Sequence, residues 1–445
     1  MASGNRLKKT VIILGAGAST PFIGTHGNRI TTTTLRDALF DHATWKCVVD
    51  EFTCNYVAGT PGALINIDVA EICDLFRRVS DSIEGHFGDV NFDQILHVIE
   101  PVCLKYSGFL MDDIENLSEE LLVLFNTFDF APTYTTVDGW RYVPYLAREV
   151  ICLKIQKVWS AKRNQRDYFV GLLSDWLSFL KRRSLVNTYS FNYDELFSRV
   201  AANFPEIHNG YEQGAFNGTK LWKANEVYCQ IHGSVRLYSK SQDYFISNSG
   251  LQAARIRLKN CSTHVADDTF KYSERGSVGT HYNTWLITSL EKMEGFAQGP
   301  FSTIFYRLGE DIKNSDVVLA VGTSLGDVHV NAYIYNILTT LGKTLIIVTH
   351  SGVEEFLANL HPLMLNPHND LLQLIVRANA PLLSFGRTPD EGLENFKKRV
   401  LLESRGRGFA RLGKRFYIFP SGSYQFFRDP NIFKKIMAAI QIENT

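Results

Sequence analysis

Four short segments of this chain combine residue types and spacings that chemistry requires. Gly15-Ala16-Gly17-Ala18-Ser19 follows the apolar run 11–14 directly. Small residues let a backbone approach a pyrophosphate, and the amides of Ala16 to Thr20, at the start of a following helix, would point at its negative charge. Thr20 stands where a third glycine would complete G-x-G-x-x-G, so a tight strand-to-helix turn without a ligand competes with this reading. In Thr188-Tyr189-Ser190-Phe191-Asn192-Tyr193-Asp194, Asn192 and Asp194 are two apart at a strand end, and strand geometry puts both on one side. An amide and a carboxylate there can grip sugar hydroxyls or orient a water; an ordinary Asx turn is the competing reading. Ile231-His232-Gly233-Ser234 places an imidazole after the stretch VYCQI, and a histidine can act as a general base near neutral pH. There are twelve histidines, and His232 stands out only by its company. Gly322-Thr323-Ser324-Leu325-Gly326-Asp327 again follows an apolar run. The hydroxyls of Thr323 and Ser324 can hold a ribose or phosphate, and Asp327 can do so or simply cap the next helix. His329, and Asp93 with Glu100 on one helical segment, are weaker candidates.

The elements that must position these residues are legible in the hydrophobic pattern. Residues 11–14 (VIIL), 185–191 and 317–321 suit strands buried on both faces of a parallel sheet. Phe169, Leu172, Leu173, Trp176, Leu177 and Leu180 mark one face of a helix that ends in a cationic last turn, Lys181 to Arg183. Residues 316–350 read as strand, turn, helix over 330–341 and strand, a βαβ unit. Between the first strand and Leu185 the segments 35–40, 69–78, 92–98 and 117–125 all look helical. Residues 236–300 are polar and look loop-rich, and after about 400 the chain turns basic and aromatic. The expectation is an α/β fold with a Rossmann-like parallel sheet. Residues 1–34 and 185–400 would form that domain, 35–184 a mainly helical insertion, and 401–445 a C-terminal extension.

Composition excludes several classes. The 445 residues are 45% hydrophobic and 12% aromatic, enough for a substantial core over about two domains. Lys plus Arg and Asp plus Glu are 46 each, so no global basic field marks a nucleic-acid binder. The local run Arg405, Arg407, Arg411, Lys414 and Arg415 leaves nucleic acid an open partner, though a solvated surface explains it as well. Seven cysteines occur at 47, 54, 73, 103, 152, 229 and 261 with no C-x-x-C pair. That fits free thiols in a reducing cytoplasm and argues against a cysteine zinc site, so no metal is expected. No stretch of about twenty apolar residues suggests a membrane span, and the N-terminal apolar run is too short for a signal peptide.

The order of the four segments is more specific than any one of them. GAGAS, then FNYD, then HG, then GTS, each at a strand end, resembles the sirtuin-like (silent-information-regulator-type) family over roughly residues 11–350. FNYD resembles the sirtuin Thr-Gln-Asn-Ile-Asp motif, with Asn192 and Asp194 matching its polar pair. His232 matches the catalytic histidine, and Gly322, Thr323 and Ser324 match the Gly-Thr-Ser that contacts the adenosine side of NAD. The paired-cysteine zinc module of sirtuin deacylases and their Gly-Ile-Pro-Asp-Phe-Arg segment are absent. NFDQILHVIE (91–100), FNYD and GTSLGDVHVN are similar to the branch found in prokaryotic antiviral defence systems.

The resemblance implies NAD as substrate, no zinc, and hydrolysis of the nicotinamide–ribose bond in a homo-oligomer, sometimes beside a partner ATPase or nuclease. His232 would act as general base, Asn192 would position the ribose or the water, and Asp194 would hold ribose hydroxyls. Gly15, Ala16, Gly17, Ala18, Ser19 and Thr20 would bind the pyrophosphate. Deacylation or ADP-ribosyl transfer with the same grip, a non-catalytic NAD or ADP-ribose sensor, and a nucleic-acid-associated regulatory subunit remain alternatives.

Overall fold

Val11, Ile12, Ile13 and Leu14 are all buried, and a strand without polar side chains is stable where both of its faces are covered. In the computed structural model, which describes residues 9–15, 17–19, 32–53, 66–87, 90, 92–106, 133–140, 142–160, 163–212, 215–239, 270–272, 284–286, 300–323, 343–349, 389–413 and 415–443, they form β1 (Lys9–Leu14) inside an eight-stranded sheet. Helices α1 (Thr32–Ala38), α2 (His42–Phe52), α3 (Val69–Phe87), α4 (Phe92–Tyr106), α5 (Val137–Trp140), α6 (Val143–Ser160) and α7 (Arg163–Lys181) precede β2 (Leu185–Ser190). Then come α8 (Leu196–Ala201), β3 (Ile207–His208), β4 (Tyr211–Glu212), β5 (Ala215–Phe216), α9 (Gly218–Lys223), β6 (Glu226–Gln230), β7 (Gly233–Ser239), β8 (Phe270–Tyr272) and β9 (Thr284–Leu286). The chain ends with α10 (Phe301–Lys313), β10 (Val317–Val321), β11 (Thr344–Val348), α11 (Pro389–Arg407), β12 (Ala410–Gly413), β13 (Phe416–Phe419), α12 (Gly422–Arg428) and α13 (Pro430–Glu443).

The sheet order is β12-β13-β11-β10-β1-β2-β6-β3, and every neighbouring pair is parallel except the β12–β13 hairpin. From β1 the next strand lies on one side, and from its neighbour β10 the next lies on the other. Such a switch point in a parallel α/β sheet is where ligands bind, beyond the carboxyl ends of the strands. The protein is therefore mixed α/β with a mostly parallel, Rossmann-like sheet.

Successive residues of each central strand serve two different cores. Val11, Ile13, Val318 and Ala320 face one, together with Leu221, Ile304, Leu308 and Val400 from α9, α10 and α11. Ile12, Leu14, Leu319 and Val321 face the other, with Leu35, Trp45, Phe76, Ile99, Trp176 and Phe426. The segment expected as a helical insertion is thus helical through its described elements and buries its apolar faces against the sheet. Of the α7 stripe, Phe169, Leu173, Trp176, Leu177 and Leu180 are buried and Leu172 is partly buried against that core.

One polar network ties α10 to the sheet. Asp311 accepts hydrogen bonds from Tyr189 Oη (2.5 Å), Lys9 Nζ (2.7 Å) and Arg307 Nε (3.0 Å). Arg307 donates three more hydrogen bonds, to the carbonyls of Leu221, Trp222 and Ala224. Burial and the Asp311 charge push the Tyr189 phenol well up, so it stays a donor.

The structure corrects two expectations. The boundary at residue 400 does not divide the molecule: α11 runs across it, and β13 pairs in parallel with β11, Leu345 opposite Phe416. All four β13 residues are buried, because β11 is apolar on both faces and its open edge needs a strand beside it. Residues 236–300 are not all loop. β7, β8 and β9 join β4 and β5 in a five-stranded antiparallel sheet, order β4-β5-β8-β7-β9. Backbone pairing needs no apolar run, so hydropathy concealed these short strands. The helix expected over 330–341 lies outside the described residues. Among the described residues, no helix is long and apolar enough to cross a membrane.

Candidate active site

At the switch point the loops after β1 and β10 are in backbone contact. Gly15 donates from its amide to Val321 O (2.9 Å), and Gly17 donates to Gly322 O (2.8 Å). A Cβ on Gly15 would stand 2.5 Å from Thr323 Cα, and one on Gly322 would stand 2.0 Å from Ala18 N. Gly322 also has φ +61°, the left-handed region that only glycine enters without strain. These glycines are therefore required by the crossing of two strand-end loops, whatever they bind.

That crossing corrects one assignment. The Gly17 amide is taken by Gly322 O, and the Ala18 amide by Gly15 O at 2.8 Å. Neither points a free donor at a pyrophosphate: the other loop satisfies the Gly17 amide, and the first loop's own turn satisfies the Ala18 amide. Ala16, Thr20, Ser324, Asp327 and His329, also candidates, lie outside the described residues.

Ser19 is 1% exposed and joins the first loop to the segment after β2. Its hydroxyl donates to the Asp194 carboxylate and accepts from Asn192 Nδ2 at 2.6 Å. A hydroxyl has one proton to give. With that proton on Asp194, Asn192 must present its amide N–H to Ser19, and Oδ1 needs a donor from elsewhere. Asn192 is 6% exposed, and Oδ1 is buried with no hydrogen-bond partner among the described residues. Buried polar atoms are rarely left so, and each such exception calls for an explanation.

Asp194 is committed to the protein. Its Oδ1 accepts from Leu196 N (2.9 Å) at the start of α8, so the Asx-turn reading holds for this residue. Burial pushes its carboxyl up to about 6, against the lowering by the Ser19 and Leu196 hydrogen bonds. Between the ordinary aspartate range and that value the folded protein binds the extra proton, so stability falls as pH rises through the window. Asp194→Asn is expected to gain on the wild type from pH 4 to pH 7 by on the order of 3 kcal/mol. Urea midpoints at the two pH values check it, and a pH-independent difference would remove the assignment.

The segment 191–194 alternates. While Asn192 and Asp194 reach Ser19, Phe191 and Tyr193 reach His232, with ring centroids 4.7 Å and 6.3 Å from the imidazole. His232 sits between β6 and β7 and is 8% exposed. Gly233, at φ +84°, turns the chain from one sheet into the other directly after it. The parallel ladder carries on beyond the strands, with Phe191 N on Leu14 O (2.8 Å) and Ile231 N on Ser190 O (2.8 Å). These bonds set the heights of the amide and the imidazole relative to the first loop. Phe92, at the start of α4, packs on Tyr193 at 6.2 Å, so the helical segment contributes a wall.

Two contributors were missed in the sequence. Gln230 donates from Nε2 to the carbonyls of Asn192 (3.2 Å) and Asp194 (3.1 Å), clamping the segment that bears them. It lies two residues before His232, and that nearness to the His-Gly pair was the only hint. Ser423 donates to Gly17 O (2.9 Å) from 406 positions away, and nothing local foretells it. Glu100 is buried and ion-paired with Arg148 at 2.6 Å. Among the described residues, no group of three or more His, Cys, Asp or Glu side chains could hold a metal ion. Cys229, directly before Gln230, is buried and its thiol is pushed far up by burial, which suits a packing role rather than a nucleophile.

At the sheet switch point, the segment 191–194 thus carries an amide oxygen with no partner among the described residues beside the crossed glycine loops, and two rings that pack on the His232 imidazole. No protein-family model matches the chain, and a search of curated proteins returns no match to it either.

Proposed function

We propose that this protein is a sirtuin-like NAD glycohydrolase that splits the nicotinamide–ribose bond. The observation that carries the reading is Asn192 Oδ1, a buried acceptor fixed by Ser19 and Asp194 and left without a partner among the described residues. A ribose hydroxyl or a water supplies the donor it lacks.

The chemistry asks little acid help, because nicotinamide leaves as a neutral molecule from a cationic base. Positive charge grows on the ribose in an oxocarbenium-like transition state. Asn192 Oδ1 holds the hydroxyl or the attacking water, and His232 takes the proton that is released. Water adds at the ribose carbon as the bond to nicotinamide breaks, giving ADP-ribose, nicotinamide and one proton. Ser19 and Asp194 orient Asn192 rather than touch the sugar. The pyrophosphate is left to groups other than the Gly17 and Ala18 amides. The cellular role that goes with this reading is NAD depletion in antiviral defence, within an oligomer.

Incubation of purified protein with NAD, read by chromatography, tests the reading. Equimolar nicotinamide and ADP-ribose are expected, falling at least about 100-fold in Asn192→Ala. Nicotinamide with a labelled acceptor in place of free ADP-ribose would make the protein a transferase. NAD intact but bound would make it a sensor, and NAD neither cleaved nor bound would end the proposal.

A further inference from the structure

The Gly17–Ala18 peptide is held at both ends. Its N–H, on Ala18, donates to Gly15 O at 2.8 Å, and its C=O, on Gly17, accepts from Ser423 Oγ at 2.9 Å. The preceding N–H, on Gly17, is held by Gly322 O at 2.8 Å. Ser19 follows this peptide directly, and its hydroxyl orients Asn192.

Ser423 is itself fixed. It is 2% exposed, and Gly422 before it, at φ +84°, donates to Thr349 O at 2.8 Å. Thr349 in turn donates to Phe419 O at 3.0 Å, which stitches the end of β13 to the end of β11. On the far side, Phe426 and Phe427 of α12 pack on Trp176 of α7, with ring centroids at 5.8 Å and 4.8 Å. Residues 419–423 therefore run along the carboxyl edge of the sheet from β13 past the end of β11 towards the loop after β1, and Ser423 delivers a hydroxyl proton to that loop.

We infer that Ser423 is a positioning residue for the proposed reaction, acting through the Gly17–Ala18 peptide and Ser19 to fix Asn192. The inference rests on the NAD-cleavage reading. Without the Ser423 proton the part-buried Gly17 carbonyl loses the side-chain donor that fixes it. The peptide is then held only at its N–H end, by Gly15 O, and a tilt of its carbonyl end moves Ser19 relative to the Asn192 amide. The C-terminal strand and helix belong to the site for the same reason, although they come last in the chain.

The test is a double-mutant cycle in NAD cleavage with the full chain, using Ser423→Ala, Asn192→Ala and the pair. Ser423→Ala is expected to lower kcat/KM about tenfold, the size expected for the loss of one hydrogen bond. In the Asn192→Ala background the same change is expected to do almost nothing, because the group being positioned is gone. Ser423→Thr keeps the hydroxyl and is expected to restore most of the activity, which also covers the case that Ser423→Ala folds poorly. Full activity in Ser423→Ala, or the same tenfold loss in both backgrounds, would overturn the inference while leaving NAD cleavage standing. A wild type that neither cleaves nor binds NAD would remove the underlying reading, and this inference with it.

Discussion

His232→Ala is expected to lower NAD cleavage by about 100- to 10,000-fold, the range for loss of a positioned general base. The imidazole sits at the turn between β6 and β7, against Phe191 and Tyr193, and is almost enclosed. Its neighbours in sequence keep their backbone bonds whatever side chain stands at 232, since Ile231 N is held by Ser190 O. The substitution leaves a small cavity beside two rings, at a cost of roughly 1–3 kcal/mol. Initial rates with saturating NAD, beside a thermal melt, separate the two effects. A variant that melts near the wild type and has lost its rate supports the base. A variant that keeps more than a tenth of the rate places the proton transfer elsewhere.

Gly322→Ala is expected to disable the site by a different route. The new Cβ would lie 2.0 Å from Ala18 N and 2.2 Å from Gly17 C, and both are backbone atoms that cannot swing aside. The residue would also be forced to hold φ +61° with a side chain. Left-handed strain of about 1–2 kcal/mol and overpacking of about 1–3 kcal/mol together give roughly 2–5 kcal/mol. The loops after β1 and β10 can only part to relieve it. Parting them moves Ser19, and with it the Asn192 amide, so activity falls together with stability. Gly85→Ala is the control, because that glycine lies in α3 with nothing within 4 Å of its would-be Cβ. There the change is expected to be neutral or stabilising by up to about 1 kcal/mol. Urea midpoints of the two variants check the contrast, and a Gly322→Ala protein as stable as Gly85→Ala would contradict the close crossing of the loops.

Much of the frame is legible without coordinates because hydrophobic patterning is local. Four consecutive apolar residues at 11–14 mean a strand covered on both faces, and such strands form β1 and, at 317–321, β10. The stripe on α7 reads directly as a helix face turned to a core. Helices in 35–106 show the same periodicity. The edge of the sheet was not legible. FYIF at 416–419 sits among Arg411, Lys414 and Arg415, and the charges made it resemble an extension. Strand pairing is a contact over long sequence separation, and nothing within ten residues of Phe416 says that β11 lacks a neighbour.

The same division runs through the site. The sequence by itself determined which side chains stand at the strand ends: the glycines at 15, 17 and 322, the alternating Phe191-Asn192-Tyr193-Asp194, and the His232-Gly233 turn. Residue type and period settle those, because they follow from what each position can adopt. Only the tertiary structure decided what each group does with its hydrogen bonds. It spent the Gly17 amide on the crossing of two loops and the Ala18 amide on the first loop's own turn, gave Asp194 to Ser19 and Leu196, left Asn192 Oδ1 unpaired among the described residues, and brought Gln230 and Ser423 to the backbone that bears them. A donor's partner is fixed by position in space, and Gly17 and Ser423 meet only after the whole sheet has closed.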